Sequence, residues 1–215
     1  MTKKIAVVAA NGKAGQLIVK EAASRGMDVT AFVRGGNRTS AEKAVVKDIM
    51  DITAADLSGF DAVVDAFGAW TPETLDQHST TLAHLCDCLS GTDTRLLIVG
   101  GAGSLYVNPE HTVTVSDTPD FPDAFKPLAA AMAKALEELR ARDDVKWTYI
   151  SPAGDFQADG ERTGGVEVVV HRVAELVRDR GGVDLAGLVA QGALEKALDA
   201  LDRGLGLRQR AGVEL

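Results

Sequence analysis

The chain reads as an α/β protein built on a doubly wound parallel sheet with a small C-terminal lobe. Three features carry that reading. Short, β-branched apolar runs alternate with longer amphipathic segments up to residue 156. Several of the runs are nearly continuous in hydrophobicity, as strands covered on both faces are. A glycine turn joins the first run to the first amphipathic segment, and alternation of this kind predicts parallel strands linked by helical crossovers. With 215 residues, 46% of them hydrophobic and 25% charged, the chain holds the material of an ordinary packed core, which excludes bulk disorder. One domain over 1–215 is expected, with a core at 1–156 and the lobe at 157–215.

Taken in order, strands are expected at Lys4–Ala9, Asp28–Arg34, Ala44–Asp48, Asp61–Ala66, Thr94–Gly100 and Lys146–Ile150. Helical spacing marks Lys13–Arg25, Pro72–Leu89 and Pro127–Arg142, and Gly26 and Gly91 sit where left-handed residues close a helix. The expected strand order is 3-2-1-4-5-6 with a further strand beyond. Residues 101–126 carry three prolines and no helical pattern; a loop that long inside a compact domain is usually functional or mobile. The tail has no aromatic residue after Phe156, a strand pattern at Val166–Val170, and helical spacing at His171–Arg180 and Gly187–Leu201.

Charge and cysteine usage narrow the function. A net charge of −8 and a pI near 5.0 argue against nucleic acid and anionic membranes as partners. No apolar stretch nears the roughly 18 to 20 residues that cross a bilayer, and Ile5–Ala10 falls short of the roughly 7 to 15 apolar residues of a secretory h-region. Cys86 and Cys88 cannot build a disulfide framework, so inert thiols in a reducing cytoplasm are expected. Asn37-Arg38-Thr39 is a glycosylation sequon in form only. His78, His84 and His111 lack partners at metal-ligand spacing, so no metal is expected, and His78 reads as an exposed helix residue.

Ile5-Ala6-Val7-Val8-Ala9-Ala10-Asn11-Gly12-Lys13-Ala14-Gly15 is strand, tight turn and helix start. Such a turn aims backbone N–H groups and the positive end of a helix dipole at an anion, and a pyrophosphate suits it. Gly12 admits phosphates close to the backbone, and Gly15 lets the helix pack tightly on the strand. Ala9 stands where the dinucleotide fingerprint has its first glycine. A P-loop is excluded, because Gly12-Lys13 is followed by Ala14 and not by Ser or Thr.

The chain resembles the atypical short-chain dehydrogenases of the NmrA-like and NADH-flavin reductase type, a family that includes biliverdin reductase B. The resemblance rests on Ala10–Gly15, Ala31-Phe32-Val33-Arg34, Asp65-Ala66-Phe67-Gly68-Ala69, Val99-Gly100-Gly101-Ala102-Gly103-Ser104-Leu105, Asp117–Pro122, Trp147–Ala153 and Gly160–Gly164. It implies a Rossmann-type fold and a nicotinamide cofactor held by Asn11, Gly12, Lys13, Ala14 and Gly15. It also implies Asp48 and Ile49 beside the adenine and Phe67, Gly68 and Ala69 on the path to the nicotinamide. Gly100 and Gly101 belong to the same cofactor set, and Pro152 and Ala153 would lie by the carboxamide. The aromatic-free tail departs from the family pattern.

Cofactor choice is set at the end of the second strand, where a carboxylate binds the ribose hydroxyls and an arginine accepts a 2′-phosphate. Arg34 is there, Arg38 and Ser40 follow, and no carboxylate lies between Val29 and Ala41. NADP(H) is therefore expected over NAD(H). The Tyr-x-x-x-Lys pair of carbonyl-reducing relatives is missing: Tyr106 is followed four residues on by Glu110, and Tyr149 by Ala153. Hydride transfer to a flavin such as FMN, FAD or riboflavin, taken as substrate, needs stacking and orientation more than a protein acid. The expected partner is thus a small planar acceptor, with the chain a monomer or homodimer. Ser104 either polarises the acceptor, as the one candidate catalytic residue, or caps a glycine turn. Trp70, Tyr106, Phe121 and Phe125 either wall a flat ring or pin the 101–126 loop. A non-catalytic NADP(H)-binding regulator is the alternative function.

Overall fold

Seven strands, β1 (Lys4–Val8), β2 (Asp28–Val33), β3 (Lys43–Val46), β4 (Ala62–Asp65), β5 (Arg95–Val99), β6 (Lys146–Pro152) and β7 (Asp184–Leu188), form one parallel sheet in the order β3-β2-β1-β4-β5-β6-β7. This computed structural model describes residues 2–152 and, as backbone, 184–188. Ile5 on β1 is in register with Val29 on β2 and Ala62 on β4, so β1 lies between β2 and β4, where the strand order reverses.

The three α-helices among the described residues are α1 (Lys13–Ser24), α2 (Gln77–Leu89) and α3 (Lys126–Arg140). The period of two along each strand decides which layer a side chain joins. Ile5 and Val7 of β1, Val64 of β4 and Leu97 of β5 face α1, meeting its buried stripe of Ile18, Val19 and Ala22. Ala6, Val8, Val63, Leu96 and Ile98 face the opposite way, onto Leu82, Leu85 and Leu89 of α2 and Leu136 and Leu139 of α3. The sheet is thus wound on both faces, and the Rossmann-type α/β architecture expected from the sequence is present. Gly26 and Gly91 have φ of 74° and 68°, the left-handed closure that a Cβ disfavours.

Several boundaries differ from expectation. The segment Pro72–Leu89 is not one helix: a 3-10 turn at Pro72–Thr74 comes first, and α2 starts at Gln77. β6 runs two residues past Ile150 because β7 pairs along it, with a register irregularity between Ile150 and Pro152. Gly187 and Leu188, expected in a helix, lie in β7, so sheet pairing outweighs their helical spacing. The 101–126 segment contains 3-10 turns at Ala102–Ser104, Val115–Asp117 and Asp123–Phe125 and a bridge between Tyr106 and Thr114. The expected strand at Val166–Val170 and helix at His171–Arg180 lie outside the described residues, as does most of the expected lobe.

Candidate functional site

In an open parallel sheet, ligands bind beyond the carboxyl ends of the strands where the strand order reverses. Here that point lies between β1 and β4, and a groove of about 990 Å³ opens there. Its walls come from three connections: Ala9, Asn11 and Gly12 after β1, Arg34 to Arg38 after β2, and Ala66, Phe67 and Gly68 after β4. Asp48, Ile49 and Met50 close one end, and Gln77, Thr80 and Thr81 contribute from α2.

The turn after β1 is shaped by backbone demands. Ala9 takes φ 56°, the left-handed conformation that a glycine adopts freely and an alanine only with strain. Gly12 N–H donates to Ala9 O at 3.0 Å and closes the turn. A Cβ on Gly15 would come within 2.7 Å of the Ala10 backbone, so that position needs glycine for close approach, while one on Gly12 would sit tightly at 3.3 Å from Ala9 O. Gly12 is the N-cap of α1 and has no side chain to cap with. The first-turn amides of α1, at Lys13, Ala14 and Gly15, are therefore left for an incoming anion. This uncapped helix start fits a pyrophosphate-bearing cofactor.

The connection after β2 carries the positive charge of the groove. Arg34 and Arg38 are both exposed and line it. Lys47 lines it too, but its Nζ donates to Asp56 at 2.6 and 2.8 Å and is committed there. Asp48 uses its carboxylate to accept from Met50 N–H at 3.1 Å, capping a 3-10 turn, while Ile49 is buried against the sheet.

After β4, Asp65 is a carboxyl at the end of an otherwise apolar strand, and it is only 5% exposed. Its Oδ1 accepts the Phe67 N–H at 3.0 Å, but burial outweighs that bond and pushes its pKa up to about 6. It faces a small cavity of about 20 Å³ shared with Phe67, His78, Gly100, Met132 and Tyr149. His78, expected at the surface, is instead buried. Its Nε2 lies 3.0 Å from Ala69 O, and its ring meets Phe67 edge-on at 5.7 Å. The first turn of α2 thus holds the Phe67–Ala69 loop from below.

The remaining expected residues are scattered. Ala69 is buried behind the groove wall, bonded to His78. Gly100 packs so closely on the Tyr149 ring that an added Cβ would lie 2.1 Å from it, and Gly101 N–H donates to Tyr149 Oη. Pro152 is half-buried at the end of β6, and Ala153 lies outside the described residues. Ser104 ends the 3-10 turn beyond β5 and not the strand itself. Its Oγ is buried and has no hydrogen-bond partner among the described residues, and it does not cap the turn. Trp70 and Phe125 are exposed at 73% and 52%, Phe121 is half-buried, Tyr106 stacks on His111, and none of the four lines the groove. Among the described residues no group of three or more His, Cys, Asp or Glu could hold a metal. None of their helices is long and apolar enough to cross a membrane.

Asp65 and the α2 threonines were given no role by sequence reasoning, and His78 was expected at the surface. For Asp65 a signal existed: an acid directly after Ala62-Val63-Val64 sits where a strand buried on both faces places an apolar side chain.

A fold of this kind with an uncapped helix start at the reversal point defines a nucleotide-binding α/β protein. The model of the NAD(P)H-binding family matches residues 9–183, and the chain belongs to that family. It is similar to the uncharacterized protein YwnB of Bacillus subtilis, with 41% identity over 167 residues covering 76% of this chain and 78% of that one. Among solved structures it is similar to a provisionally named NADH-flavin reductase from Streptococcus pneumoniae, at 45% identity, TM-score 0.78 and 94% coverage of both chains. It is also similar to a provisionally named exported protein from Burkholderia pseudomallei, at 33% identity, TM-score 0.73 and coverage of 94% and 95%. The chain is thus an NAD(P)H-binding, oxidoreductase-like protein.

Proposed function

We propose that the protein is an NADPH-dependent reductase of a flavin or similar planar acceptor. The observation that carries this is the groove's charge: Arg34 and Arg38 line it and no carboxylate lies between Val29 and Ala41. A 2′-phosphate would meet two guanidiniums with their rigid donor forks, and charge-assisted bonds of that kind are the strong ones. The α1 amides at Lys13, Ala14 and Gly15 would hold the pyrophosphate, with Gly12 allowing its approach. Ile49 and Met50 offer the adenine an apolar edge, and Asp48 borders it. Phe67 and Gly68 line the path towards the reacting end, where Gly100, Gly101 and Pro152 would complete the cofactor set, joined by Ala153 on the family resemblance.

When bound, the nicotinamide supplies hydride to the acceptor. The chain's own work is orientation and exclusion of water beneath the 101–126 segment, where the Ser104 hydroxyl is buried without a partner among the described residues and would meet an acceptor oxygen only when ligand binding uncovers it. Similarity to the Streptococcus pneumoniae protein supports a flavin as that acceptor. The free thiols Cys86 and Cys88 suit a reducing cytoplasm, and burial pushes Cys86 up to about 12, far from a reactive thiolate.

The test is a paired titration followed by turnover. NADPH is expected to bind at least tenfold more tightly than NADH, and Arg34→Ala to abolish that ratio. Steady NADPH oxidation is then expected with riboflavin or FMN. Tighter NADH binding would overturn the cofactor assignment. Tight NADPH binding without turnover on any flavin would assign the chain as an NADP(H)-binding regulator.

A further inference from the structure

We propose that Asn11 is a positioning residue for the 2′-phosphate subsite, acting by clamping the loop that carries the two arginines onto the glycine turn. The inference rests on the NADPH reading above and names what sets its selectivity.

Asn11 stands in the turn between β1 and α1, and its side-chain amide is used at both ends. Nδ2–H donates to Gly36 O at 2.9 Å, and Oδ1 accepts from Arg38 N–H at 2.8 Å. A carbonyl and an N–H two residues apart are what an extended segment shows to a pairing partner, so Asn11 serves as a one-residue strand for the loop. Its main chain is held in turn, because Gln16 Nε2–H donates to Asn11 O at 2.9 Å. The strut therefore stands on the first turn of α1.

The loop needs such a strut on this side only. Its far arm braces itself: Asn37 Nδ2–H donates to Ala41 O, and Asn37 Oδ1 accepts from both the N–H and the hydroxyl of Thr39. The near arm is Gly35-Gly36, where an added Cβ would meet nothing within 4 Å. Two unpacked glycines carry the largest backbone entropy a chain can have. Among the described residues, the Asn11 bonds are the hydrogen bonds that join Gly35–Arg38 to the glycine turn. Arg34 and Arg38 flank this arm, exposed and free of ion pairs among the described residues. With the strut in place the arginines are held ready. Without it, binding the 2′-phosphate must also order the loop, and that cost falls on NADPH alone.

The experiment measures dissociation constants of the full chain for NADPH and NADH in wild type, Asn11→Ala, Arg34→Ala and the double variant. It also follows trypsin cleavage after Arg34 and Arg38 without nucleotide. Two exposed hydrogen bonds correspond to roughly a ten- to thirtyfold effect. Asn11→Ala is expected to weaken NADPH by about that factor and NADH by less than about threefold. In the Arg34→Ala background the selective loss should shrink, since both residues act on one subsite. Cleavage after Arg38 should speed up several-fold in the free variant, a change that a direct phosphate ligand would not produce. Asn11→Ser, too short to span the gap, should repeat the pattern and guards against a folding defect peculiar to alanine. Equal weakening of both nucleotides, or unchanged cleavage, would overturn the strut. A wild-type chain without NADPH preference would overturn the reading beneath it, and the two failures are told apart by that first titration.

Discussion

Replacing Asp65 by asparagine should stabilise the protein at neutral pH and do little in acid. The carboxyl ends β4 almost wholly buried, with the Phe67 N–H as its hydrogen-bond donor, and burial raises its pKa from 3.8 to about 6. An acid whose pKa is higher folded than unfolded keeps its proton in the native state while the unfolded chain releases it. Stability therefore falls as pH rises from about 4 to about 6 and is flat above that. The rise from 3.8 to about 6 corresponds to about 3 kcal/mol. Asparagine keeps an oxygen for the Phe67 N–H and cannot ionise, so it escapes the penalty. Urea denaturation of wild type and Asp65→Asn at pH 4.5 and pH 7.5 gives the comparison in which other titrating groups cancel. The variant should gain about 2 kcal/mol between the two pH values, or about 4 to 8 °C in Tm for a chain of this size. A difference independent of pH, or one that moves against the variant as pH rises, would refute the reasoning. The position costs stability at neutral pH, and it lies under the loop that lines the groove. Ionisable groups held at such a cost cluster at functional sites.

Three further outcomes follow from local geometry. Gly15→Ala should destabilise by about 1 to 3 kcal/mol and weaken both nucleotides, because its Cβ lies 2.7 Å from the Ala10 backbone and forces α1 off the strand; a chemical melt and a titration check it. Ala9→Gly should be neutral or stabilising by up to about 1 kcal/mol, since relief of the left-handed strain offsets glycine's entropy, and a clear loss of stability would contradict the 56° φ. Ser104→Ala should leave stability unchanged or raise it by up to about 1 kcal/mol, as a buried hydroxyl without a partner contributes nothing by staying; flavin turnover, measured alongside, should fall.

Much of the fold was legible because its signals are local. Continuous apolar runs at Ile5–Val8 and Ala62–Val64 announce strands covered on both faces, and the spacing of Ile18, Val19 and Ala22 announces a helix lying on them. Gly12, Gly15, Gly26 and Gly91 mark turns through backbone rules that no distant residue alters. Boundaries slipped where distant groups decided them: β6 lengthened because β7 pairs along it, and Gly187 and Leu188 went to the sheet.

The site was legible only in part, for the same reason. The sequence by itself determined the glycine turn, the arginine after the second strand and the missing Tyr-x-x-x-Lys pair, since each follows from residue type at a fixed offset. Tertiary structure alone decided that Asn11 reaches across to Gly36 and Arg38, that His78 holds Ala69 from within, that Asp65 is sealed from water and that Ser104 Oγ is buried with no partner among the described residues. Each of these depends on which groups, remote along the chain, are brought within hydrogen-bond reach or left out of it. Burial and partnership are properties of packing, and periodicity along a strand or helix does not encode them.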